Sequence, residues 1–138
     1  MDPEKYLLSI LSKRAYTRKE LMDRLIRRDL AKEEAEKLLD RYQDLGYIDD
    51  LAYAKLYIIS HTSWGSIKIA HQLRIRGVEA EKIEEAFQDT GYNEFDEALS
   101  LAINWFEHGV TEKKIYSRLI SRGFSYEIAG KAVSVACE

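Results

Sequence analysis

One segment of this chain occurs three times, and it limits the folds that the sequence can adopt. Residues 25–30, 73–78 and 119–124 each begin with leucine, carry an arginine three residues later and end in an apolar residue, at offsets of 48 and 46. A period of this length is typical of stacked helical units. Chains of this kind offer a long surface to a partner, so the repeat argues against a single buried catalytic pocket.

The repeated segment is also a signal for the end of a helix. Helices commonly end with a residue in the left-handed conformation, followed by an apolar residue that packs back onto the last turn. Glycine suits that conformation, and aspartate is one of the few other residues that tolerate it. We predict this stop at six helix ends: Asp29, Gly46, Gly77, Gly91, Gly109 and Gly123.

Apolar positions recur in register around the segment, at spacings of three and four that indicate one buried helix face. One such column contains Leu21, Ile69 and Ile115. Two further columns in the first helix of each unit are expected to be buried as well; they contain Leu8, Leu56 and Ala102, then Leu11, Ile59 and Trp105.

These patterns predict an all-α protein of three tandem three-helix repeats, with boundaries at 1–48, 49–92 and 93–138. The predicted helices lie near 3–14, 18–28, 32–45, 50–63, 66–76, 80–89, 94–107, 112–122 and 126–136. Thr17 and Glu20 form a capping box for the second helix, and Ser66 is the expected N-cap of the fifth. Packing of the repeats on one another is expected to give an extended array.

Composition excludes several classes of protein. Hydrophobic content of 46% and charged content of 33% argue against disorder. No stretch approaches the roughly 18 apolar residues of a membrane span, and the N-terminus carries no signal-peptide pattern, so we expect a cytoplasmic protein. Cys137 is the single cysteine, which excludes a disulfide framework and a cysteine-rich metal site.

The charge is distributed unevenly although the net charge is only −3. The first repeat contains a basic stretch opposed by few acids, which is either a solvated helix face or a stripe that meets phosphate. The candidate DNA-binding residues in this stretch are Arg14, Arg18, Lys19, Arg24 and Arg27.

The sequence carries no signature of an enzyme. Its glycines are single, and most of them lie at helix ends, so no nucleotide-binding loop is present. The three histidines are dispersed, without the spacing of metal ligands on one helix. We therefore predict a protein that is not an enzyme and needs no cofactor or metal.

Several motifs together resemble one known family. Residues 46–50, Gly-Tyr-Ile-Asp-Asp, are similar to the Gly-Tyr-Leu-Asp-Asp motif of the RecX family of bacterial recombination regulators. The Leu-x-x-Arg-Gly segments and the Trp64-Gly65-Ser66 turn resemble family motifs too, in the same order and at similar spacing. The chain departs from the family pattern at residues 60–63, where a basic cluster is usual, and in its acidic overall charge.

The resemblance implies a modular, elongated and curved protein that acts in homologous recombination, DNA repair and the SOS response. Family members bind the RecA filament on single-stranded DNA and suppress its ATP hydrolysis, strand exchange and coprotease activity. Some also bind DNA, so a weak contact with single- or double-stranded DNA is an additional expectation. The family has no known cofactor, and we expect a monomer.

The arginine before each stop is not explained by helix termination. The candidates for partner binding are this column and its neighbours in the middle repeat: Arg28, Trp64, Lys68, Arg74, Arg76 and Arg122. The opposing interpretation is that the arginines bridge helices within each repeat and that Trp64 packs at a repeat junction. A helical DNA-binding module and a general helical adaptor remain alternatives to a RecA modulator.

Overall fold

The computed structural model describes residues 2–138, and these residues form nine α-helices and no strand. The all-α prediction is therefore confirmed. The helices are α1 Pro3–Leu11, α2 Arg18–Arg27, α3 Lys32–Asp44, α4 Asp50–Ser60, α5 Ser66–Ile75, α6 Ala80–Thr90, α7 Glu94–Glu107, α8 Glu112–Ser121 and α9 Tyr126–Ala136. Within the described part of the chain, no helix has the length and apolar character needed to cross a membrane.

The six predicted helix stops are confirmed. Asp29 has a φ of 66°, and the five glycines at the other stops have φ values between 68° and 92°. The closing hydrogen bond is formed at the repeated segment each time: the amides of Leu30, Val78 and Phe124 donate to the carbonyls of Leu25, Leu73 and Leu119 at 3.0–3.2 Å. Each stop therefore fixes where the chain leaves its helix.

Three local predictions were wrong. α1 ends at Leu11 and α4 at Ser60, each three residues earlier than expected, because neither helix ends in a left-handed stop. Ser66 is the first residue of α5 rather than its N-cap, and its amide donates to a glutamate side chain instead.

The chain divides into two compact units. The first contains the chain up to Leu56 together with Leu73–Ala86, and the second contains Tyr57–Gln72 and Phe87–Glu138. In the first unit Leu7, Leu21, Leu25 and Leu39 are fully buried. The second unit has its own core around α7, α8 and α9, built on Ala98, Ala102, Ile115, Leu119, Phe124, Ala129 and Ala132. The division into three repeats stays a prediction from the sequence.

The two columns predicted for the first helix of each repeat were wrong in part, since Ala102 is fully buried and Leu11 and Trp105 are partly buried against the cores. Leu8, Leu56 and Ile59 are exposed, at 41%, 60% and 60%. The buried residues are instead Leu7 and Ile10 on α1, and Ala54 and Ile58 on α4. The periodicity slips here because α4 and α7 begin 44 residues apart, whereas α5 and α8 begin 46 apart.

Candidate interaction surface

A contact between the start of α2 and the end of α5 organises the first unit. Thr17, the N-cap of α2, is fully buried, and no other polar side chain is buried among the described residues. Its hydroxyl accepts from the amide of Glu20 at 3.2 Å and donates to the carbonyl of Arg76 at 2.5 Å. One hydroxyl thus caps its own helix and binds the end of another, 59 residues away.

The glycine after Arg76 is needed for this contact as well as for the helix stop. A Cβ on Gly77 would overlap the side chain of Lys19, which lies directly against it. The carboxylate of Asp50, the first residue of α4, accepts from the amide of Arg18 at 2.9 Å. Burial raises the pKa of Asp50 above its ordinary 3.8, although the hydrogen bond from Arg18 acts in the opposite direction. We call this set of contacts the first junction.

The second unit contains an equivalent contact, the second junction, between the start of α5 and the end of α8. The amide of Gly65 donates to the carbonyl of Arg122 at 2.8 Å, and that of Ile67 donates to Gly123 at 3.2 Å. A Cβ on Gly65 would collide with the backbone of Gly123. A Cβ on Gly123 would collide in turn with Lys68, and would lie 2.7 Å from its backbone nitrogen.

A carboxylate completes the second junction as it does the first. Glu94 is the first residue of α7, and its Oε2 accepts from the amide of Ser66 at 3.0 Å. Its Oε1 is 3.4 Å from the amide of Ser125, the N-cap of α9. Because helix N-termini carry unpaired amides and partial positive charge, one carboxylate satisfies two of them at once.

The Gly-Tyr-Ile-Asp-Asp motif at residues 46–50 has a physical explanation in the first junction. Gly46 ends α3, and the Tyr47 ring packs on Tyr42 at 5.5 Å between centroids. Ile48 is buried. Asp49 accepts from the amide of Ala52 at 3.0 Å, and Asp50 caps α2. The sequence showed these residues as a family motif and a helix start, but gave no sign of the long-range contact.

In the first unit the predicted arginines lie on aromatic rings. The guanidinium of Arg28 lies 3.9 Å from the ring centroid of Tyr6. That of Arg24 lies 4.8 Å from the ring of Tyr16, which Arg14 covers at 3.8 Å. A hydrogen bond with Arg24, helped by Arg28, lowers the pKa of the Tyr6 hydroxyl. Cation–π contacts of this kind hold the guanidinium groups in defined positions at a surface.

The second unit repeats this arrangement with a tryptophan. The guanidinium groups of Arg118 and Arg122 lie 5.3 and 5.1 Å from the Trp105 ring. Ser117 and Ser121 complete the lining of an open groove of about 400 Å³. Arg122 also reaches the carbonyl of Ser63 at 3.4 Å. The arginine pairs, Arg24 with Arg28 and Arg118 with Arg122, are one helical turn apart on α2 and at the end of α8. We call them the arginine faces.

The middle repeat differs from the other two at these positions. Gln72 stands where the others have Arg24 and Arg118, and Arg76 contributes its carbonyl to the first junction. Arg74 is exposed in the last turn of α5. The sequence therefore identified the arginine column, but its shared partners, the aromatic rings of Tyr6 and Trp105, were missed. Trp105, which the sequence places in a buried column, packs partly buried against the second core and also lies under the two arginines.

Trp64 lies in a stack of rings within the second unit. Its ring centroid is 4.4 Å from that of His61, which stacks on Tyr57 at 4.1 Å. The ammonium of Lys68 covers the indole at 4.2 Å, and the hydroxyl of Tyr92 donates to the Trp64 carbonyl at 2.7 Å. Trp64 and Lys68 are thus brought together next to the second junction, and both are half-buried.

The candidate DNA-binding residues do not form one uniform basic stripe. Arg18 is bonded to Asp40 at 2.7 Å and Gln43 at 3.1 Å, and Lys19 packs against Gly77. Arg14 and Arg24 flank Tyr16, and Arg27 is exposed on α2. No group of three or more potential metal ligands occurs in residues 2–138.

The fold and these sites define a helical repeat protein that presents charged, aromatic surfaces. Comparison with known proteins is consistent with that class. A family model described as "RecX, second three-helix domain" matches residues 49–86. Two curated proteins, each named "Regulatory protein RecX", are similar to the chain. The one from Prosthecochloris aestuarii is 32% identical over 125 residues, covering 85% of this chain and 82% of the relative. The one from Thermus thermophilus is 31% identical over 134 residues, covering 96% and 91%.

A solved structure shows the same fold. The crystal structure of RecX from Lactobacillus salivarius superposes with a TM-score of 0.84 at 24% identity, covering 98% of this chain and 94% of that one. The chain belongs to the RecX family of regulatory proteins.

Proposed function

We propose that this chain modulates the RecA recombinase, mainly as an inhibitor. It binds the RecA filament on single-stranded DNA and suppresses ATP hydrolysis, strand exchange and coprotease function. Membership of the RecX family, at 31–32% identity over most of the chain, is the observation that supports this most strongly.

The arginine faces supply a physical basis for binding a filament. A filament presents the same surface at regular intervals, and contacts made in register by several sites on one chain add as avidity. Two pairs of arginines held on aromatic rings are suited to such contacts, because arginine and aromatic residues dominate interface energies. A chain that bridges RecA subunits would hinder the motions that ATP turnover requires.

The experiment is an assay of ATP hydrolysis by RecA assembled on single-stranded DNA, with the chain added in increasing amounts. We expect the rate to fall at equimolar protein or below. An unchanged rate at equimolar protein would overturn the proposal.

A double variant tests the arginine faces separately. Arg28→Gln with Arg122→Gln removes both charges and both guanidinium groups that lie on the rings. At about 1 kcal/mol for each arginine, the half-inhibitory concentration should rise roughly thirtyfold. Lys131→Ala is the matched control, since it removes an exposed charge on α9 that pairs only with Glu127 among the ion pairs seen. A double variant that inhibits like the parent would refute the arginine assignment alone.

The alternative of a DNA-binding module receives less support from the structure. Among its five candidate residues Arg18 is paired with Asp40 and Gln43, while Lys19 packs only its aliphatic stem against Gly77. Pairing of Arg18 lowers the number of basic side chains open to phosphate, and phosphate contacts supply essentially all of non-specific DNA binding.

A further inference from the structure

The start of the second helix differs in its surroundings among the three repeats. Thr17 and Gly65 precede α2 and α5, and both are buried in a junction. Thr111 precedes α8 in the same way, yet it is exposed. Its hydroxyl accepts from the amide of Lys114 at 3.4 Å, as Thr17 accepts from Glu20. The third repeat therefore carries a start of the same kind that makes no junction in the described part of the chain.

The start at Thr111 keeps two of the side chains found at the start at Thr17. Residues 17–19 read Thr-Arg-Lys, and residues 111–113 read Thr-Glu-Lys. Lys19 is the residue that packs against Gly77 in the first junction, so Lys113 stands where the corresponding contact would be made. Repeat 3 thus retains both side chains that make the first junction.

The helix stop that would receive this start is different in repeat 1 from the stops in the other two repeats. Gly77 and Gly123 receive Lys19 and Lys68, and a Cβ at either position would collide with the incoming lysine. Repeat 1 has Asp29 at this position, with the same left-handed backbone at a φ of 66°. Asp29 is exposed and carries the Cβ for which the two junctions have no room.

The receiving carboxylate is also missing from repeat 1. Asp50 and Glu94 are the first residues of α4 and α7, and each accepts from the first amide of the incoming helix. The first residue of α1 is Pro3, which has no hydrogen-bonding side chain. The preceding Asp2 caps its own helix, accepting from the amide of Glu4 at 3.0 Å.

We propose that Asp29 and Pro3 prevent the stop of α2 in repeat 1 from binding the start of α8 in a second copy of this chain. Without them, Thr111 and Lys113 of one molecule would dock on the stop of α2 in the next, in the manner of the first junction. Such a contact joins two different surfaces, so it builds rings or open chains of molecules rather than a symmetric dimer.

The test is a double variant, called the opened variant, that removes both obstacles to binding at the stop of α2. The double variant Asp29→Gly with Pro3→Asp removes the Cβ and supplies the carboxylate, and glycine at a φ of 66° relaxes the backbone. Sedimentation velocity of the parent should show one species of 16.0 kDa at every concentration. The opened variant should show dimers and larger species that increase with concentration, with at least a doubling of the weight-average mass.

Two further variants identify the cause. Asp29→Asn with Pro3→Asp makes the same change in charge as the opened variant but keeps a Cβ, and it should remain monomeric. Adding Thr111→Asp to the opened variant keeps a helix cap and removes the hydroxyl donor, so it should restore the monomer. The proposal is overturned if the parent itself associates in this way, if the opened variant stays monomeric at millimolar concentration, or if the asparagine variant associates equally.

Discussion

The two junctions join equivalent helix ends but are made by different chemical groups. The first depends on side chains, since the Thr17 hydroxyl donates to Arg76 and the Lys19 stem covers Gly77. The second depends on backbone, since the amides of Gly65 and Ile67 donate to the end of α8. The receiving side is the same in both junctions. It consists of an arginine carbonyl and a left-handed glycine at the end of one helix, and a carboxylate at the start of the helix that precedes it in the chain.

This difference indicates how much change each junction tolerates. At Gly77 a Cβ would overlap the Cβ of Lys19, which is fixed to its own backbone, so the first junction has no room for a side chain at its receiving glycine. The two junctions differ at the incoming residue, because Gly65 lies directly against the backbone of Gly123 whereas Thr17 already carries a side chain. Substitutions of the incoming residue should therefore be more costly in the second junction than in the first.

The largest effect is expected for Gly65→Ala. Its Cβ would collide with the backbone of Gly123 and Phe124, and the overlap can be relieved only by separating the two helices. We expect a loss of about 3 kcal/mol in the free energy of unfolding, measured by urea denaturation. Gly130→Ala on α9 is the matched control, because a Cβ there meets nothing within 4 Å. It should stabilise the helix by about 1 kcal/mol. Equal losses in the two variants would refute the tight approach at Gly65.

An intermediate effect is expected in the first junction for Thr17→Val. Valine keeps the shape but removes both the helix cap and the donor to Arg76, which should cost about 2 kcal/mol. Thr17→Ser keeps the hydroxyl and should lose only about 0.8 kcal/mol for its missing methyl group. Urea denaturation of both variants measures the difference. If serine were as harmful as valine, packing rather than hydrogen bonding would control the first junction.

The fold could be predicted from the sequence to a large extent because its signals are local. A helix stop such as Gly77 involves residues within one turn, and apolar spacing along a helix is read directly. The prediction failed for Leu56 and Ile59, which are exposed. Their burial was predicted from the spacing of the repeated segment, and the first helices of the repeats are spaced differently from the second helices. Length differences between repeats are invisible to an alignment anchored on one segment.

The candidate sites were predictable only in part. The arginine column was visible because its members are identical, but Tyr6 and Trp105 beneath it are different residues in different columns. Thr17 and Gly65 occupy equivalent positions with no common chemistry, and their acceptors lie more than fifty residues away. Gly77 and Gly123 were explained by helix termination alone, whereas the structure adds the close approach of Lys19 and Lys68.

The smallest effect is expected for Asp50, the carboxylate of the first junction, and this effect depends on pH. Because burial raises the pKa of Asp50 above 3.8, its contribution to stability is present below that value and is lost as the pH rises through the raised pKa. Asp50→Asn keeps an acceptor for the amide of Arg18 and does not ionise. The free energy of unfolding of this variant, minus that of the parent, should therefore increase between pH 3.8 and the raised pKa of Asp50 and then level off. Urea denaturation at a series of pH values measures this difference. A difference that changed in the opposite direction would show that the hydrogen bond from Arg18 outweighs burial, and the first junction would then depend on the charge of Asp50.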